Sequence, residues 1–250
     1  MIEHKNLDKI YDEVKDFKLL LVFYFVLLIL GIIILLFLSP AISCNTQSPQ
    51  TPISCQLRGS LQTPWGVVTS FLVNASWNNL ANEYLTLLIP ISCFILINLN
   101  IEKKKKTKRC EFFIYASFLI MVFSTLLWVA LYGRNTYTIG LSGITYAGMG
   151  LALGFAIVNI VKEFKLIEKR TILYKPVFVL NIIITKPVFV LNIIITIVLI
   201  YYVIFNPATF FNISTGTNVF VHQKSFFLGF IAGLAYVIIT NLFEIFYFYS

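Results

Sequence analysis

Charge is what this sequence has least of. Lysine, arginine, aspartate and glutamate make up 12% of its 250 residues, against 58% hydrophobic residues and 24 phenylalanines. So little polar surface cannot clothe a water-facing globule, which excludes a soluble fold and leaves a membrane protein. Acids are scarcer than bases, 11 against 19, but the excess positive charge is gathered in short blocks between apolar runs. There it sets topology, and no nucleic-acid partner is expected. The four cysteines have no metal spacing: Cys44 and Cys55 bracket ten residues of one loop, while Cys93 and Cys110 lie at or beside apolar runs. No HExxH, CxxC or EF-hand pattern occurs, so neither a metal nor an organic cofactor is expected. Histidine occurs only at positions 4 and 222.

Residues 1–18 carry five acidic and four basic side chains, with Ile2, Leu7, Ile10, Tyr11 and Val14 spaced along one helical face. This is the pattern of a short cytoplasmic amphipathic helix on the membrane surface. From Leu19 to Ser39 there are 21 uncharged residues. At about 1.5 Å rise each they cover a hydrocarbon core of roughly 30 Å. A small-residue site at Ala41-Ile42-Ser43 follows, but the apolar run is longer than a signal-peptide core and reads as a first span. In the polar loop from Pro40 to Pro64, Cys44 and Cys55 pair if the exterior is oxidising, and otherwise remain two free thiols. Trp65 to Ser76 is amphipathic and too short to cross. Further spans are expected at about 77–101, 112–132, 140–160, 187–205 and 225–243. The expected fold class is therefore all-α, a polytopic membrane helix bundle of six spans over residues 19–250.

Basic residues give this bundle a direction. Lys103 to Lys106, Lys108 and Arg109 form the densest block; Lys162, Lys165, Lys169, Arg170 and Lys175 form another. With the four lysines of the first 18 residues, 15 of the 19 basic residues fall on one side. The positive-inside rule makes that side cytoplasmic, so a cell-membrane protein with both termini in the cytoplasm is expected.

One segment repeats without a change: KPVFVLNIIIT runs from Lys175 to Thr185 and again from Lys186 to Thr196. Eleven helical residues rotate about 1100°, three turns plus about 20°, so the second copy presents nearly the same face as the first. One helix from Pro176 to Phe205 would be about 45 Å long, too long for the bilayer core. A break or kink is expected near Pro187, with the second copy spanning and the first as an inner extension. The repeat is assigned no chemistry.

The fourth span opens with Gly140-Leu141-Ser142-Gly143-Ile144-Thr145-Tyr146-Ala147-Gly148-Met149-Gly150. A serine hydroxyl needs a base to become a nucleophile. His222 opens the sixth span, and both spans enter from outside, so Ser142 and His222 share a depth and can meet. At a helix N-terminus, Ser142 has unpaired backbone N–H groups and the positive end of the helix dipole beside it, which suits a developing oxyanion. Tyr146 lies one turn below Ser142 on the same face, placed to pack on the imidazole. Gly140 and Gly143 leave room for loop, helix and substrate, and Gly229 and Gly233 let the sixth span lie close against the fourth. Glycine and serine at such positions also serve packing alone. GMGLALG lacks the spacing and preceding strand of a dinucleotide-binding loop.

GLSGITYAGMG resembles the GxSG motif of the rhomboid intramembrane serine proteases, including the tyrosine four residues after the serine. The stretch from His222 through Ser225 and Gly229 to Gly233 is similar to that family's last span, with Ser225 where a glycine is usual. TPWGVVTSFLVNASWNNLANEY resembles the lead into its second span, so the likeness covers about Trp65 to Ala235. The resemblance implies a serine endopeptidase with Ser142 as nucleophile and His222 as general base and then general acid, without an acidic third member. Its partners would be the lipid bilayer and membrane proteins whose transmembrane helices unwind near the outer face.

The family's second-span pattern HxxxxHxxxN falls on Asn74, Asn79 and Glu83. Asn79 then stands for an oxyanion-stabilising histidine, and its amide still donates a hydrogen bond beside the Ser142 N–H. A one-residue slip places Asn78 and Asn82 at the last two positions instead. A carboxylate at Glu83 is unfavourable beside an oxyanion unless protonated or turned away. These departures also fit a rhomboid-like protein that binds membrane clients without cutting them. A small transporter would need ionisable residues along a midplane path and paired interrupted helices. Glu83 is the one acidic candidate found, and such helices are lacking.

Overall fold

The computed structural model describes residues 15–37, 66–72, 77–99, 101–132, 140–168, 187–205 and 219–248. These form α1 (Lys18–Phe37), the short α2 (Gly66–Thr69) running into a 3-10 turn (Ser70–Leu72), α3 (Trp77–Ile97), α4 (Lys103–Tyr132), α5 (Ser142–Glu168), α6 (Pro187–Phe205) and α7 (Val219–Phe248). No strand occurs among the described residues. Helix is the form that lets an apolar segment satisfy every backbone donor and acceptor without water. Five helices, α1, α3, α4, α5 and α7, are long and apolar enough to cross a membrane. The chain is an all-helical, multi-pass membrane protein. Hydropathy predicts six spans, and α6, a 19-residue apolar helix, lies where the fifth is expected. The surface helix expected over 1–18 lies outside the described residues save for its last four. So do Cys44, Cys55, Asn74 and the first repeat copy.

Helix α5 is the axis of the bundle. Ala147, Met149, Leu151, Ala152, Phe155 and Ala156 have no solvent exposure, and α3, α4, α6 and α7 all pack on it. An apolar helix with small residues on several faces can be enclosed on all sides. Its contact with α7 is backbone on backbone. A Cβ on Gly154 would stand 2.7 Å from the Phe230 carbonyl oxygen, and one on Gly233 would stand 2.7 Å from that of Leu151. Residue numbers rise together along this seam: Gly143 meets Val221, Gly150 meets Phe226 and Gly154 meets Phe230. The two helices are therefore parallel. Helix α4 runs the opposite way, with Met121 against Gly143 and Phe113 against Gly148.

Helix α4 begins nine residues before its expected start, inside the lysine block. The Glu102 carbonyl accepts the N–H groups of Lys105 at 2.9 Å and Lys106 at 3.0 Å. Lysine is a good helix former, and it can lay its stem on apolar surface while its ammonium reaches polar partners. Lys106 does this: its ammonium lies 5.6 Å from the Phe17 ring centre and 3.6 Å from Asp16, which also pairs with Lys103 at 3.4 Å. Arg109 donates to Asn98 Oδ1 at 2.7 Å and lies over the Phe155 ring. These contacts fix the basic block at the end of the bundle opposite Ser142. Helix α6 begins at Pro187, where a missing N–H costs nothing. The outward faces of α1, α4 and α7 expose Phe25, Ile29, Tyr115, Leu119, Phe123, Phe227 and Ile231, as a lipid-facing surface requires.

Candidate active site

The chain reaches Ser142 through a tightly held turn. Gly140 has φ +97°, a left-handed conformation that favours glycine, and its N–H donates to the Ser70 carbonyl at 2.9 Å. Leu141 is fully buried, and its N–H donates to Glu83 Oε2 at 2.5 Å. Its carbonyl accepts the N–H groups of Ile144 at 3.0 Å and Thr145 at 3.2 Å. Leu141 is thus the N-cap and Ser142 the first residue of α5. The N–H groups of Ser142 and Gly143 consequently have no acceptor within the helix. Ser142 is half-buried between buried neighbours.

Four residues on, one helical turn, Tyr146 stacks on His222 with ring centres 4.4 Å apart and planes 21° from parallel. Both are buried, at 4% and 8% exposure, so the imidazole is held in the bundle rather than solvated at its edge. The parallel run of α5 and α7 explains the meeting. Gly143 has no side chain to push Val221 away, and Val221 precedes His222. Trp128 of α4 packs on Phe220 at 5.7 Å, and the Lys224 ammonium lies 5.3 Å from the centre of the same Phe220 ring, fixing the start of α7. Ser225, one turn beyond His222, is fully buried, with no hydrogen-bond partner for its hydroxyl among the described residues. Gly229 lies against the Ala147 backbone.

Helix α3 brings two further side chains beside the turn. Glu83 is bound by two donors: the Leu141 N–H on one oxygen and Asn79 Nδ2 on the other, at 3.4 Å. A Cβ on Gly140 would stand 2.9 Å from the Glu83 carboxyl carbon. Asn79 and Glu83 are therefore the pair beside the turn, whereas Asn78 and Asn82 are exposed. The structure brings together Tyr146, one turn from Ser142, and His222, and it sets Asn79, Glu83 and Gly140 beside the turn that precedes Ser142. Sequence reasoning missed the Ser70 carbonyl and the Leu141 N–H, since backbone groups carry no residue signature. It also missed Trp128 and Phe220. Their aromatic rings close to predicted span ends were the available signal.

The arrangement offers a hydroxyl, an imidazole stacked on the tyrosine one turn below it, and backbone donors at the positive end of a helix. Among the described residues, no cluster of three histidine, cysteine, aspartate or glutamate side chains is placed to hold a metal ion. Cys93 and Cys110 are buried free thiols within the spans. No protein-family model, curated protein or solved structure matches this chain.

Proposed function

We propose that this chain is a rhomboid-like intramembrane serine endopeptidase of six spans, with α6 as the fifth. The observation that supports the reading is the stack of Tyr146 on His222 across two parallel helices, Tyr146 being one helical turn from Ser142. In this mechanism His222 takes the proton of the Ser142 hydroxyl as Oγ attacks a peptide carbonyl in or near a transmembrane helix. The negative charge passes to the carbonyl oxygen, held by the Ser142 N–H and the Asn79 amide. The C–N bond then breaks as His222 gives its proton to the leaving amine, and water releases the acyl chain by the same two steps in reverse. Substrates are membrane proteins with one transmembrane helix. Because the basic block lies at the opposite end of the bundle, the positive-inside rule turns Ser142 toward the outer face of the cell membrane and the termini toward the cytoplasm.

Cleavage of a fluorogenic transmembrane peptide in proteoliposomes tests this. Activity in the wild type and its loss in both Ser142→Ala and His222→Ala are expected. Activity that survives either change refutes the dyad. A second reading, a client-binding protein without turnover, is favoured by one observation: Glu83 engages the Asn79 amide that the oxyanion would need. Retained binding of the peptide with no cleavage by the wild type would decide for it.

A further inference from the structure

We infer that Glu83 is a positioning residue, the anchor that sets the nucleophile's turn; its place in a reaction rests on the protease reading above. Three observations converge on it. Its Oε2 accepts the Leu141 N–H at 2.5 Å, so α3 grips the N-cap residue directly before Ser142. The second oxygen takes the Asn79 amide at 3.4 Å, which fixes the carboxylate's rotation about its own stem. Gly140 lies against that carboxylate in a left-handed conformation, so the turn has the shape that admits a carboxylate at this place.

The chemistry suits the task. An N-cap residue directs its own N–H away from the helix, and no intrahelical carbonyl is available to it. A buried N–H without an acceptor is costly, and a carboxylate at a helix N-terminus is the acceptor that the helix dipole favours most. The Gly140 N–H is held from the opposite side by the Ser70 carbonyl at 2.9 Å. The turn is thereby tied at two successive residues to two different elements, and the direction of the Ser142 hydroxyl follows from it. A displacement of about 1 Å at a nucleophile is enough to cost roughly 100-fold in rate, so a tie of this kind governs turnover and not only folding.

The test compares Glu83→Gln with Glu83→Ala in the full chain. Both variants are neutral, so their difference reports the acceptor oxygen and not the charge. Hydrogen exchange at the Leu141 amide is expected to be at least about tenfold faster in the alanine variant and near wild type in the glutamine variant, because an unpaired amide at a helix start loses its protection. In peptide cleavage, kcat for the alanine variant is expected about tenfold below that of the glutamine variant, with KM unchanged. Equal Leu141 exchange in the two variants overturns the anchor, whatever the cleavage result. Exchange that separates them, in a chain that never cleaves peptide, upholds the anchor and removes the protease reading instead.

Discussion

Replacing Glu83 by glutamine should speed the proposed reaction. Glutamine keeps a carbonyl oxygen for the Leu141 N–H and removes the charge. An oxyanion held by the Ser142 N–H would lie one residue from the N–H that Glu83 accepts, a separation of roughly 6 Å. Two like unit charges at that distance repel by about 3 kcal/mol in an effective dielectric of about 20. Ser142 is half-buried, so water screens part of this. About 1–2 kcal/mol remains, a factor of roughly 5–30 in kcat. The charge opposes the oxyanion more than the neutral substrate, so the gain belongs in kcat and leaves KM nearly unchanged. Steady-state cleavage of a fluorogenic transmembrane peptide in proteoliposomes measures both constants. A kcat in Glu83→Gln equal to or below that of the wild type, with Leu141 exchange intact, would refute the reasoning.

Other perturbations probe the remaining parts. Tyr146→Ala removes a stacked aromatic neighbour from His222 and should lower kcat about two- to tenfold, while Tyr146→Phe keeps the stack and stays near wild type. Gly233→Ala drives a methyl group toward the Leu151 carbonyl and should lower stability by about 2–3 kcal/mol, read as a fall in thermal midpoint in detergent. Asp16→Asn removes one ionic partner of Lys106, whose side chain is 4% exposed, and one of Lys103, and should cost about 1–3 kcal/mol in the same melt. Maleimide labelling of folded protein should leave Cys93 and Cys110 unmodified until denaturant is added, since both thiols are buried.

Much of the frame is legible in the sequence. Apolar runs without charge marked five long helices, because a bilayer demands about 20 such residues in succession. Trp77 and Pro187 were read correctly as helix starts, each at a change of polarity or a proline ring. Hydropathy failed where helix and bilayer part company. Helix α4 begins at Lys103 and α7 at Val219, each ahead of its expected span, since backbone hydrogen bonds propagate through lysine and glutamine as readily as through leucine. The packing of Tyr146, one turn from Ser142, on His222 was legible from residue type and spacing. Glu83 was not: sequence showed an acid in an awkward place, and its partner is a main-chain group 58 positions away that every residue but proline possesses.

The connection between α3 and α4 also bears on how the chain enters the bilayer. Asn98 donates to the Phe94 carbonyl at 2.7 Å and receives Arg109 at the same distance, which clips the two helices across a turn of five residues. The hairpin is a unit that can form as soon as α4 leaves the ribosome. Yet Glu83, near the start of α3, takes one of its two donors from Leu141, which has not then been made. Until Leu141 is made Glu83 lacks one of its two donors, and the arrival of α5 supplies it. A helix whose polar group waits on a later helix imposes an order on biogenesis, and a chain halted before Leu141 would hold α3 less securely than the finished protein does.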